Sequence, residues 1–429
     1  MKIKNFDVLA ATESRRVVLE MAEAGLEAVD TEKAIARAVG FREGALIVQE
    51  EIFPLRPGGR IIVIGIGKCA IEAGRALERV LGDRIWGGIA VDVHEGELKK
   101  IRVYRGTHPL PTDANVDATK AIIELLEDSK ENDLVVFVIS GGGSTLLCQP
   151  TNFTCLDEAE ILKHLTAAGA AIEEINTLRK HLSSARGGQL AKYAYPARSV
   201  ALIFSDIPGD NLQFVASGPA VKDETTVEDA EAVMRKYGLR VECSVEDCTL
   251  IETPKEDKYF KNVHNILIVS NKTALDAMAE KARELGYEPE IVTAELSGEA
   301  RVVGEEIAER LRDARGKNVL LYGGETTVKV RNPSGRGGRN QELALSAMRH
   351  LAGGQVIASV ASDGRDNTEY GGAICDTITV QKAAELGLDP LKYLDQNHSY
   401  EFFSQVGGYL VTGDTGSNVS DLVIALNNG

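Results

Sequence analysis

The sequence of 429 residues predicts an α/β protein with a doubly wound, largely parallel sheet in its N-terminal part and a smaller α/β region after it. Three observations carry that expectation. Short apolar, β-branched runs recur at "RIIVIGIG" (60–67), "GGIAVDV" (87–93), "DLVVFVIS" (133–140) and "SVALIFS" (199–205). Stretches of helical periodicity lie between or beside them, at 69–82, 113–128, 157–170 and 173–194. The runs are apolar at nearly every position, so both faces of the sheet need cover, and helices on each side of a parallel sheet supply it.

Further along, the polar, weakly periodic segment 238–262 interrupts the alternation and separates domains of 1–245 and 262–429. A second series follows, with strands at 264–270, 289–293, 318–324, 355–362 and 408–413. A formal net charge of -16 and a pI near 5.1 argue against a nucleic-acid binder, which carries a basic stripe. The six cysteines form no CxxC pair and the seven histidines are dispersed, so neither a zinc site nor a disulfide framework is expected. No stretch approaches 18 uninterrupted apolar residues and the N-terminus carries no apolar signal region, so a cytoplasmic, reduced setting and no membrane partner are expected.

Polar chemistry collects where strands end, which is where ligands bind in open α/β sheets. After the first run, Gly65-x-Gly67-x-x-Ala70 fits a relaxed dinucleotide pattern, with Asp92 closing the next strand. Lys68 inside that turn points instead to an anion, because a cation at a helix start opposes the helix dipole. "SGGGST" (140–145) follows the third run; it is either a turn or a phosphate cradle of converging backbone N–H groups. In "SDIPGDN", Asp206 and Asp210 suit Mg²⁺ or an Asx turn. "YGGETTVKVRNPSGRGGRNQE" places Glu325 at a strand end and Arg336 and Arg339 in a glycine-rich loop, with Asn340 as the expected helix cap. Asp363 and Asp366 in "SDGRDNTEYGG" could bind metal, act as a base or serve the turn. "INTLRKHLSSARGG" sets Arg179, Lys180 and Arg186 near a helix end, where the dipole favours cations. His108, in "THPLPTD", reads as a structural imidazole or a base.

Together these motifs, with "ASGPA" and "TGSNVSDL", resemble the class II glycerate 2-kinases, whose C-terminal part is the MOFRL domain; the resemblance spans about residues 55–425. It implies a Rossmann-like N-terminal domain, a smaller MOFRL-type α/β domain and a cleft between them. The implied reaction is ATP- and Mg²⁺-dependent phosphorylation of D-glycerate at its 2-hydroxyl. On that reading Ser140, Gly141, Gly142, Gly143 and Ser144, with Gly324, Glu325 and Asn340, hold ATP. Lys68, Arg179, Arg339 and Asp363 meet the acceptor; Lys68, Arg339 and Asp206 are catalytic; Asp206, Asp210 and Asp363 take Mg²⁺. Asn367 stands where the family commonly has a second glycine, and "VDVHEGE" (91–97) departs from its Lys/Gly/His stretch; both bear on the acceptor. A homodimer is compatible with the sequence. A kinase for a related hydroxy acid, an NAD(P)H-dependent hydroxypyruvate reductase resting on Gly65–Ala70 and Asp92, and a non-catalytic sugar-acid or nucleotide sensor are the competing readings.

Overall fold

The computed structural model describes residues 1–151, 154–239 and 250–429. Strands β1 (Val39–Arg42), β2 (Ala45–Val48) and β3 (Glu51–Pro54) form a small antiparallel meander. A larger sheet takes β4 (Ile61–Ile66), β5 (Ile85–Asp92), β6 (Ile101–Arg105), β7 (Leu134–Ile139), β8 (Arg198–Phe204) and β9 (Val263–Val269). Its order is β6-β5-β4-β7-β8-β9, and the first five strands pair in parallel. Strands β4 and β7 bury every residue, as the uniformly apolar runs require of a sheet covered on both faces.

The helices follow from local signals. Helix Ala70–Leu81 turns Ile71, Ala73, Leu77 and Leu81 inward, a 3.6-residue stripe. Helix Asp113–Glu127 opens with a Thr112–Asn115 capping box. The expected helix over 173–194 is two helices, Ile172–His181 and Gln189–Ala194. Gly187 and Gly188 lie between them at φ 57° and 85°, and a Cβ on Gly188 would sit 2.7 Å from Phe260, so the chain must leave the helix there.

A second sheet takes β10 (Glu288–Leu296), β11 (Lys317–Gly324), β12 (Gln355–Ala361), β13 (Gly372–Asp376), β14 (Tyr409–Leu410) and β15 (Asp421–Asn428), in the order β10-β11-β15-β12-β13-β14. Only β10 and β11 pair in parallel; every other neighbour is antiparallel. The alternating series thus gives a mixed sheet, because the ten residues between β12 and β13 are too few for a parallel crossover. Strand 408–413 shrinks to β14, and β13 and β15 are additional to the expected strands.

The chain divides into two units. The parallel-sheet unit holds Thr31–Ser205 and Asp210–Ile268; the mixed-sheet unit holds Met1–Asp30, Asp206–Gly209 and Val269–Gly429. The expected boundary segment falls partly on residues 240–249, which lie outside the described residues together with Cys243 and Cys248. Strand β9, taken from sequence as the start of the second series, completes the first sheet. The first thirty residues join the mixed-sheet unit for a visible reason. Arg15, on helix Glu13–Ala28, donates from Nε and Nη2 to the buried Asp376 carboxylate, both at 2.7 Å. Among the described residues, no helix is long and apolar enough to cross a membrane.

Candidate active site

In order of appearance, the strands of the first sheet run 3-2-1-4-5-6, and the direction of winding reverses between β4 and β7. Such a reversal opens a crevice at the carboxyl ends of the two strands. The loops that follow them are Gly67-Lys68 and Ser140–Ser144. They are laced together: Lys68 N–H donates to Gly141 O at 3.0 Å, and Ser140 N–H to Ile66 O at 2.9 Å. The buried Ser140 hydroxyl donates to Ile66 O and accepts from Cys69 N–H, so it ties loop to loop. Gly67 stands at φ 119°, and a Cβ there would lie 2.1 Å from Ser140 Oγ. Gly67→Ala is therefore expected to destabilise the fold by about 2–4 kcal/mol through strain and overpacking, read as a lower denaturation midpoint.

Gly142 is left-handed at φ 80°, and the Lys68 side chain lies over it: a Cβ would be 3.1 Å from Lys68 Cγ and 3.6 Å from His108 Cδ2. Among the described residues the N–H groups of Gly141 and Gly142 donate to no backbone carbonyl. Gly143 opens the single turn Gly143–Leu146 and packs against Ala216. Ser144 Oγ meets Ser217 Oγ at 2.9 Å, which donates to Asn176 Oδ1 at 2.9 Å.

Of the three cations read near residues 179–186, the structure uses two internally. Lys180 pairs with Asp223 at 3.0 Å and Arg186 with Glu158 at 2.6 Å, all four buried. Arg179 and Lys68 have no carboxylate within 4.0 Å among the described residues. Burial, then the neighbouring Arg186 charge, pushes Arg179 down to about 10. Burial, then Lys68 and Arg179, holds the His108 imidazole below its usual range. Lys68 lying over Gly142, beside N–H groups that donate to no backbone carbonyl, is the arrangement an anion would use.

The dinucleotide reading fails at Asp92. Its side chain is fully buried; Oδ2 accepts from Ile71 N–H in the first turn of helix Ala70–Leu81, and Oδ1 from His94 N–H. The acidic residue of that fingerprint must reach a ribose, whereas Asp92 caps a helix.

In the mixed-sheet unit, β11 and β12 flank β15 and both run opposite to it, so their carboxyl ends meet its start. Asp421 is in register with Gly324 and Ala361. Arg339 lies there, in the first turn of helix Arg339–Ala347. Its Nε and Nη2 donate to Asp421, and its Nη1 and Nη2 lie 3.3 and 3.1 Å from Glu325. Burial disfavours the Arg339 charge, but the Asp421 carboxylate outweighs it and raises the Arg339 pKa. Burial pushes Asp421 up to about 7, against the pull of Arg339. Asp421 belongs to the acidic pair of "GDTGSNVSDL" (413–422), a strand-end motif that from sequence could bind metal, act as a base or serve a turn; its pairing with Arg339 was not expected.

Two expectations are corrected here. Asn340 does not cap the helix; Gly338 is the N-cap and offers no side chain. The cap comes from Asp366, whose Oδ1 accepts from Asn340 N–H at 3.1 Å and Oδ2 from Gln341 N–H at 2.8 Å. Asp366 is therefore buried structure, with its pKa raised by desolvation against four hydrogen bonds, not an exposed base or metal ligand. A Cβ on Gly338 would lie 2.2 Å from the Asp366 carboxylate. Gly338→Ala is thus expected to lift Asp366 off the helix, costing about 1–2 kcal/mol, the usual worth of a cap, measurable by denaturation.

Asp363 Oδ1 accepts from Arg365 N–H at 2.9 Å, an Asx turn. Asp206 belongs to this unit: its Oδ2 accepts from Asn418 Nδ2 at 3.3 Å, and its carbonyl from Ser420 Oγ at 2.8 Å. Asp210, at φ 52°, belongs to the parallel-sheet unit. No group of three or more His, Cys, Asp or Glu side chains that could cage a metal occurs among the described residues.

Residues 17–251 match a domain of unknown function (DUF4147), and residues 318–421 match the MOFRL family. The chain is 39% identical to a glycerate 2-kinase of Pyrococcus horikoshii, over 97% of this chain and 98% of that one. It is 38% identical to a D-glycerate 2-kinase of Thermotoga maritima, over 96% and 98%. The crystal structure of a glycerate kinase from Thermotoga maritima superposes with a TM-score of 0.85 at 37% identity, covering 96% of this chain and 99% of that one.

Proposed function

This chain belongs to the MOFRL-containing glycerate 2-kinase family, and from that premise we propose how its residues transfer the γ-phosphoryl group of ATP to the 2-hydroxyl of D-glycerate, giving 2-phosphoglycerate and ADP. The observation that supports the proposal is the turn at the β4/β7 reversal, where Lys68, with no carboxylate within 4.0 Å among the described residues, lies over Gly142, and where the Gly141 and Gly142 N–H groups donate to no backbone carbonyl.

Phosphoryl transfer asks a protein for positioning and charge neutralisation more than for covalent chemistry. The Gly141–Ser144 backbone holds nucleotide phosphates, and Lys68 neutralises charge on the transferring group. Arg179, flanked by the neutral His108, receives an anionic oxygen of phosphate or of the glycerate carboxylate. In the mixed-sheet unit, the Arg339 fork, with Glu325 and the Gly324 turn around it, meets a second anionic group. Asp206, oriented by Asn418, accepts the proton that leaves the 2-hydroxyl as the new O–P bond forms and the old Pγ–O bond breaks.

Mg²⁺ is the ion such a transfer uses. Asp206, Asp210 and Asp363 each offer hard carboxylate oxygens to an ion that takes one or two carboxylates with phosphate oxygens and water. When bound, it neutralises charge between the β- and γ-phosphates. The engaged state of Asp92 leaves the reductase reading without its ribose contact.

Coupled ADP release with ATP, Mg²⁺ and D-glycerate, run beside NADH oxidation with hydroxypyruvate, tests the reading. ADP release with a phosphorus NMR signal of 2-phosphoglycerate is expected. A 3-phosphoglycerate signal, or NADH oxidation alone, would refute it.

A further inference from the structure

A guanidinium has five N–H donors arranged along two forked edges. In Arg339 both edges are occupied. The Nε–Nη2 edge faces Asp421 and the Nη1–Nη2 edge faces Glu325. Recognition of a phosphate or carboxylate needs two parallel N–H donors on one edge. A substrate anion can therefore take a two-donor edge of Arg339 only if one of the two carboxylates leaves.

The two are not equivalent. Asp421 is the first residue of β15, held in register between Gly324 of β11 and Ala361 of β12, and its side chain is 5% exposed. Glu325 lies one residue beyond β11; its backbone is fixed by N–H donation to Leu296 O, but its side chain is 44% exposed. Both contacts of Glu325 with Arg339 exceed 3.0 Å. A half-exposed pair of that kind is weak and competes with water, whereas separating a buried pair strands a charge.

We propose that Glu325 is a placeholder on Arg339, exchanged for two anionic oxygens of the substrate, and that Asp421 is the positioning residue that keeps the guanidinium aimed while the exchange occurs. The inference rests on the reading of Arg339 as the anion-binding group of its unit. It gives the paired carboxylates separate tasks. Glu325 keeps the fork neutralised before substrate arrives and lowers the affinity for any anion by competing with it. Asp421 stays bound throughout and sets the direction of the Nη1–Nη2 edge.

The experiment is steady-state ADP release by the full chain, with ATP and D-glycerate varied in turn, and inorganic phosphate as an inhibitor. Glu325→Gln is expected to lower the inhibition constant for phosphate by about fivefold, the scale on which one exposed carboxylate competes. It should lower the KM of whichever substrate meets Arg339 by a similar factor. The gain in phosphate affinity must disappear when Glu325→Gln is combined with Arg339→Ala. Asp421→Asn is expected to lower kcat by about 10²-fold, as misaimed groups do, with a smaller change in KM, and Asp421→Glu is expected to recover part of it. A Glu325→Gln variant whose phosphate affinity is unchanged, or improves equally without Arg339, overturns the placeholder. One that loses kcat instead assigns Glu325 to the chemistry or to the metal, and overturns it too. If Arg339→Ala alone keeps wild-type kinetics, the reading of Arg339 fails first, and the two failures are distinguishable.

Discussion

Replacing Lys68 with alanine is expected to lower kcat by about 10³-fold at saturating ATP and D-glycerate, with the melting temperature close to that of the unaltered chain. The rate effect follows from the proposed role of Lys68 as the cation that neutralises the transferring phosphoryl group. The unchanged stability follows from the surroundings. Among the described residues no carboxylate lies within 4.0 Å of Lys68, so its loss strands no buried partner. Its side chain rests on Gly142, whose left-handed backbone needs no support from it. ADP-release kinetics and a thermal scan on the same preparation check both halves. A variant with kcat within threefold of the parent would remove Lys68 from the chemistry.

Replacing Arg339 with alanine is expected to cost a similar factor in kcat but to behave differently in stability. Here a buried partner remains. Asp421, already pushed up to about 7 by burial, loses the one cation that opposes that shift. Its folded-state pKa then rises further above the ordinary value near 3.9. A carboxyl with a raised folded pKa loses stability as pH increases from its unfolded toward its folded value. The penalty of Arg339→Ala relative to the parent should therefore grow above pH 7 and shrink below it, which denaturation midpoints at pH 6 and pH 8.5 measure. A penalty that grows toward acid would contradict the pairing of Arg339 with Asp421. Arg339→Lys keeps the charge but loses the fork, and should recover only part of kcat.

Much of the parallel-sheet unit was legible because its signal is local. Runs such as IIVIGI and LVVFVI are apolar at every position, and the structure buries them at every position. The glycine turns after them were legible for the same reason, since strand-end glycines beside Lys or Ser mark the carboxyl edge of a sheet. What local reading could not supply was partnership. Arg179, Lys180 and Arg186 look alike along eight residues; Asp223 and Glu158, far away in sequence, pair with Lys180 and Arg186 and set Arg179 apart from them. Asp366 looks like any acidic residue after a strand, yet it caps a helix that starts 27 residues earlier in the chain. β15 lies beyond the expected strands, and its two neighbours in the sheet are distant in sequence.

The position of β15 has a consequence for how the chain is made. It comes after every other strand of the second sheet in chain order, yet it lies in the middle, between β11 and β12. During synthesis β10 and β11 emerge as one fragment of sheet and β12 to β14 as another, each with an unpaired edge waiting. The first sheet has all of its strands long before that point. The two units therefore mature at different times, and the first residue of the joining strand, Asp421, is also the residue that grips Arg339. A nascent chain can complete its parallel sheet and still lack the strand that brings Asp421 to Arg339.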